Sequence, residues 1–198
     1  MFELNQLLNR KTVKNFLAEK VPEQILGNAA QVAWCAPTSL NSRPTILLDI
    51  SRRSNDDWIN FQPAAESAPH LFIFAASPEA GEANARKFLS QRFSLPEDDQ
   101  KVSARFAEIV KNREEWTRQQ LYLTAGYFAA TLEASGVSGC FIAGFDKKIA
   151  TEKLKLPPGY TAELIFACGF ANPKNDGSTE TDFVRKFDDF YFPESAVS

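Results

Sequence analysis

The sequence has a single histidine, His70, and three scattered cysteines, Cys35, Cys140 and Cys168, with no CxxC spacing. Zinc sites and disulfide frameworks need clustered or paired ligands, so neither is expected. Any Ser-His-Asp arrangement or histidine metal site would run through His70 alone. That residue opens the run HLFIFAA, where a satisfied histidine at the end of a core strand is the simpler expectation. The cysteines stand in the apolar settings VAWCAP, SGCFIAG and FACGF and read as small buried hydrophobes. The longest purely apolar run, Leu71 to Ala76, is far short of the ~20 residues of a membrane helix. The start, MFELNQLLNR, lacks the charged opening and apolar core of a secretory signal. A net charge of −3 lacks the basic excess of a general nucleic-acid binder. None of the nine glycines form a GxGxxG turn, so a Rossmann domain is unsupported. These absences predict a cytoplasmic protein with no membrane and no nucleic acid as partner, whose chemistry comes from a bound cofactor.

What is present is ordinary globular material: 198 residues, 44% hydrophobic and 24% charged. That is enough core for one domain, and no linker, repeat or low-complexity tract divides residues 1–198. Helical spacing predicts a short helix from Phe2 to Asn9 and a second that Pro22 opens and Pro37 closes by Ala36. Thr45–Ile50 and His70–Ala76 read as buried strands, with an aperiodic polar stretch between them. Pro78 to about Gly136 is helical, with interruptions near Ser94-Leu95-Pro96 and Asn112. Within it, Leu121 to Leu132 (LYLTAGYFAATL) is apolar almost all round, predicting burial on every side, in a monomer core or a symmetric dimer interface. Phe106, earlier in this block, suits a core aromatic better than a lid. Then come a strand from Gly139 to Phe145, a helix from Lys147 to Leu154, a turn at Pro157-Pro158-Gly159 and a strand from Ala162 to Gly169. The tail DFVRKFDDFYF carries so many aromatics that it must pack on something.

Two polar constellations stand out. Arg10-Lys11-Thr12-Val13-Lys14 offers guanidinium, ammonium and hydroxyl donors suited to phosphate oxygens, although a solvated basic turn is the simpler reading of these residues alone. Pro37-Thr38-Ser39-Leu40-Asn41-Ser42-Arg43-Pro44 offers hydroxyls and an amide between two prolines, and is equally well an ordinary helix-to-strand connection.

In order, RKTVKNF, VPEQIL, WCAPTSLNSRP, QLYLTAGYFAATLEASGVSG, CFIAGFD, KLPPGY, ELIFACGFAN and a tail RKF resemble the nitroreductase family, and within it the bacterial oxygen-insensitive NAD(P)H nitroreductases. The resemblance implies an α+β fold with a mixed central sheet flanked by helices, and a homodimer with FMN at its interface. It also implies a C-terminal arm, 180–198, packing on the partner subunit. By the same resemblance Arg10, Thr12 and Lys14, with Lys11 beside them, hold the FMN phosphate and ribityl chain. Pro37, Thr38, Ser39 and Asn41 touch the flavin from the other subunit, Ala143 and Gly144 lie against its ring, and Arg185 closes on the phosphate. The implied reaction passes hydride from NAD(P)H through FMN to a nitroaromatic, quinone or similar small-molecule acceptor, with no side chain as obligate acid or base. Two departures bear on this. The stretch Asn60 to Glu66 has no Lys where the family usually aims one at the flavin N1–O2 edge, and Ala143 stands where the subgroup often has Glu. They leave open a specialised reductase, a flavin-modifying enzyme, or a non-catalytic, regulatory flavin-binding dimer.

Overall fold

A computed structural model describes residues 4–51, 57–59 and 62–177. The elements in chain order are α1 (Leu4–Leu8), α2 (Glu23–Trp34), β1 (Thr45–Asp49), α3 (Pro63–Ser67), β2 (His70–Ala76), α4 (Pro78–Phe93), α5 (Gln100–Ile109), α6 (Arg113–Glu133), β3 (Ser138–Ile142), α7 (Lys147–Lys153) and β4 (Thr161–Gly169). The predicted elements are all present, with ends shifted by one to three residues. The polar stretch between the first two strands adds α3 and a single turn, Asp57–Ile59, whose Trp58 and Ile59 are buried.

Local chemistry explains the helix boundaries. Ser77 Oγ accepts from the Ala80 N–H at 3.2 Å, Asp99 from Lys101 at 2.8 Å, Asn112 from Glu115 at 3.0 Å and Asp146 from Ile149 at 2.9 Å. Each satisfies a donor that the first turn leaves unpaired. α4 stops at Ser94, which takes the left-handed conformation (φ 54°).

The sheet runs β1-β2-β4-β3. All three pairings are antiparallel, so the mixed sheet of the expectation is antiparallel throughout these strands. The α+β organisation stands: helices cover both faces. β2 is buried along its whole length, and its side chains alternate between two cores as the strand period requires. Leu71 and Ile73 join Trp58, Ile59, Ile165 and Ala150 on one face. Phe72 and Phe74 meet Phe128, Leu132, Ala29 and Phe166 on the other, where Phe128 makes edge contacts with all three phenylalanines at 5.0–5.9 Å between ring centres. A third cluster, away from the sheet, joins Ala85, Leu89, Val102, Phe106, Val110 and Trp116 of α4, α5 and α6. Phe106 is thus a core aromatic, edge-on to Trp116 at 5.8 Å. His70 is buried, and its Nε2 accepts from the Val21 N–H at 3.0 Å.

Two expectations are corrected. Cys35 is exposed, unlike buried Cys140 and Cys168. The period of α2 turns Ala29, Ala33 and Ala36 inward, which leaves Trp34 and Cys35 facing out. The Leu121–Leu132 stretch is not buried on every side either. Leu121, Ala125, Phe128 and Leu132 are buried, whereas Tyr122, Leu123 and Tyr127 are 50%, 45% and 42% exposed. A helix with apolar residues all round finds partners on only one side within a single chain.

Candidate functional site

The segment 10–14 runs along the start of edge strand β3. Its inward anchors are Val13 and Phe16, both buried. The Val13 N–H donates to Gly139 O at 3.4 Å, and Phe16 pairs with Ala171. That alternation leaves Arg10, Lys11, Thr12 and Lys14 exposed. The Lys14 and Asn15 N–H groups both donate to Asp176 O, at 2.9 and 3.0 Å, and the Lys11 ammonium pairs with the Asp176 carboxylate. Ser67 Oγ donates to Lys14 O at 3.1 Å, tying in α3. Lys14, Asn15, Pro63, Glu66, Ser67, Asn175 and Gly177 enclose an open hollow of about 490 Å³.

Beneath Arg10 lies a residue that the sequence reading passed over. Glu133, buried at the end of α6, accepts the Gly139 N–H at 3.2 Å through Oε1. Burial pushes its carboxyl up, and the Gly139 hydrogen bond and the Arg10 charge pull it partly back. The signal was present in the sequence: a lone carboxylate closing an apolar helix. Burial likewise raises the Cys140 thiol, partly offset by Lys14, so neither a thiolate nor an imidazole nucleophile is on offer here.

Ala143 and Gly144 follow β3 and are exposed. Ala143 is four residue steps beyond Gly139, about 13 Å at 3.3 Å per residue. The chain therefore sets cations and a hydroxyl at one end of an edge strand and the exposed residues Ala143 and Gly144 at the other. A Cβ built on Gly144 would meet nothing within 4 Å.

The 37–44 loop is held elsewhere. Ser39 N–H donates to Oε1 of buried Gln120 at 2.8 Å, the Arg43 N–H to Thr38 Oγ1 at 3.2 Å, and Asn84 Nδ2 to Ser42 O at 2.9 Å. Leu40, Asn41 and Arg43 all have positive φ (55°, 51° and 38°). Each such residue costs about 1–3 kcal/mol and persists only where the surroundings over-determine it. Gln120 and Glu133 belong to one helix, thirteen residues apart, or about 20 Å at 1.5 Å per residue. The structure therefore brings Arg10, Lys11, Thr12, Lys14, Ala143 and Gly144 to one sheet edge. It anchors Pro37, Thr38, Ser39 and Asn41 beside Gln120, about 20 Å along that helix from Glu133. Arg185 lies outside the described residues, as do the predicted arm 180–198 and Asn60 and Phe61. Gln62 to Glu66, which are described, supply no cation to the hollow.

No helix among the described residues is long and apolar enough to cross a membrane. A family model described as the nitroreductase family matches residues 7–170. An NADH dehydrogenase of Thermus thermophilus is 24% identical over 178 residues, covering 86% of each chain. An oxygen-insensitive NAD(P)H nitroreductase of Enterobacter cloacae is 23% identical over 195 residues, covering 87% of this chain and 90% of the relative. A solved structure from Exiguobacterium sibiricum, in complex with FMN, superposes with a TM-score of 0.72 at 15% identity, covering 98% and 97% of the two chains.

Proposed function

Because the chain belongs to the nitroreductase family, we propose that it is an FMN-dependent oxidoreductase. It takes hydride from NAD(P)H and passes it to a nitroaromatic, quinone or similar small-molecule acceptor. The observation that carries this reading is that exposed Arg10, Lys11, Thr12 and Lys14 share one sheet edge with the exposed residues Ala143 and Gly144, where a side chain added at Gly144 would meet open space. That arrangement suits a molecule with a phosphate at one end and a flat, hydrogen-bonding ring at the other.

Arg10 and Lys14 supply charge to the phosphate and Thr12 a hydroxyl, with Lys11 poised beside them on Asp176. Ala143 and Gly144 lie against the ring, and Arg185 adds a further cation from the arm 180–198. Bound FMN supplies the hydride-accepting and hydride-donating chemistry. The protein positions the ring, excludes water from one face of it and leaves the other face to the dinucleotide and then the acceptor.

The loop 37–41 is anchored on Gln120, about 20 Å along α6 from Glu133 and the cationic segment beside it. A second copy brings it there, so the site is shared within a homodimer. The exposed stripe Tyr122, Leu123 and Tyr127, flanking the open Gly126, gives that copy an apolar helix face to cover. The bare Ala143 side chain and the cation-free 62–66 stretch also support a narrower, specialised reductase.

Purified protein should be yellow, with absorbance near ~450 nm bleached by NADH or NADPH and restored by a quinone or nitrofuran. Colourless protein that takes up no added FMN refutes the proposal. Bound FMN without steady turnover would instead identify a flavin-binding regulatory dimer.

A further inference from the structure

A second hollow, of about 320 Å³, is lined by Asn41, Arg43, Asn84, Lys87, Phe88 and Gln91. Asn84, Lys87, Phe88 and Gln91 recur at helical spacing and form one face of α4, bordered by the core residues Ala85 and Leu89, against whose cluster Phe88 is partly packed. The lining contains two cations, three amides and an aromatic ring, and no carboxylate. That is notable in a chain of net charge −3.

Many of the chain's other cations are spent on carboxylates. Arg86 pairs with Glu82, Arg105 with Glu108, Arg113 with Glu79 and Glu82, and Arg118 with Glu115. Arg43 and Lys87 have no such partner among the described residues. Arg43 is nevertheless well positioned. Its guanidinium lies 4.6 Å above the Trp34 ring, and its Nε donates to Asn41 Oδ1 at 2.9 Å. Both contacts leave the two terminal nitrogens directed by a fixed plane, the geometry in which arginine reads phosphate oxygens. The Asn84 amide nitrogen is fixed on Ser42 O at 2.9 Å, which leaves its oxygen as an acceptor.

We propose that this hollow is a nucleotide-phosphate subsite that takes the adenosine half of the reduced dinucleotide. Arg43 and Lys87 face a phosphate, Phe88 forms an apolar wall for the base, and Asn84 and Gln91 offer amides to its edge. The inference rests on the flavin reading in one respect: Asn41 lines this hollow and also stands in the loop assigned to the flavin. A dinucleotide whose nicotinamide lies over the ring would reach this hollow along the loop that Asn41 belongs to.

The test is Lys87→Gln, with Lys87→Arg as its conservative partner. Calorimetric titration with adenosine 2′,5′-bisphosphate needs no turnover and should show about tenfold weaker binding in Lys87→Gln, restored in Lys87→Arg. Steady-state rates should show the same tenfold rise in KM for NADPH, with kcat and FMN content unchanged. A rise for NADPH alone places the ribose 2′-phosphate in the hollow, and an equal rise for NADH places the diphosphate there. Bisphosphate binding that Lys87→Gln abolishes in a protein that takes up no FMN keeps the subsite and refutes the flavin reading. Equal bisphosphate affinity in wild type and Lys87→Gln overturns the subsite, whatever the flavin does.

Discussion

Charge reversal at Arg10 separates the phosphate role of segment 10–14 from its structural role. The side chain is exposed, and the segment's packing rests on Val13 and Phe16, so Arg10→Glu should leave the fold in place. A charge-assisted hydrogen bond contributes about 1.5–3 kcal/mol. At about 1.4 kcal/mol per tenfold in Kd, its loss weakens FMN binding roughly 10- to 150-fold. Reversal adds repulsion of the phosphate and removes the cation that eases the buried Glu133 carboxylate, so the upper end of that range is expected. Lys101→Glu is the control, because Lys101 is exposed in the first turn of α5, where a carboxylate suits the helix. Arg86 would not serve as one. Its guanidinium bonds Glu82 and Ser103 at 2.8 and 2.9 Å and lies over Phe106, so its reversal would damage the third core. The assay is titration of apoprotein with FMN, following quenching of flavin fluorescence, beside thermal melts of both variants. Kd values within threefold of each other, with equal melting, would show that Arg10 does not hold the phosphate.

Two further outcomes follow from the same corner of the molecule. Gly139→Ala places a methyl group into the Phe166 ring; overpacking of this kind costs about 1–3 kcal/mol. Tm should fall by roughly 2–12 °C in differential scanning calorimetry, and Phe166→Leu in the same chain should recover most of it; an unchanged Tm in the single variant contradicts the packing. Glu133, whose carboxyl is raised by burial, binds its proton more tightly folded than unfolded, so its contribution to stability falls as pH rises from the ordinary carboxylate range through the raised value. Urea unfolding of Glu133→Gln, which keeps the acceptor for Gly139, should lose that part of the pH dependence and match wild type at low pH; a pH profile parallel to wild type refutes the assignment.

How much of this was legible in the sequence depends on how local each signal is. The strand HLFIFAA, the helix starts at Pro78 and Lys147 and the breaks near Ser94 and Asn112 are written in a few adjacent residues, and they appear where expected. The short α3 and the turn at Trp58 were not legible, because their burial comes from the far side of the sheet and the surrounding residues are polar. Cys35 failed for the converse reason: its neighbours are apolar, but helical phase decides which of them face inward. The candidate site residues come from the order of motifs along the chain. Their separation along α6, and the roles of Gln120 and Glu133 in holding the two halves, are facts of geometry that no motif encodes.

The third hydrophobic cluster has its own consequence. It contains no strand residue among those described, and α4 contributes Ala85 and Leu89 to it, with Phe88 partly packed against it, while Asn84, Lys87 and Gln91 line the neighbouring hollow. Such a unit can open and exchange its amide protons independently of the sheet. It can also accumulate substitutions whose strain is relaxed locally. Substitutions confined to α4 and α5 are therefore absorbed without repacking the two cores on the sheet.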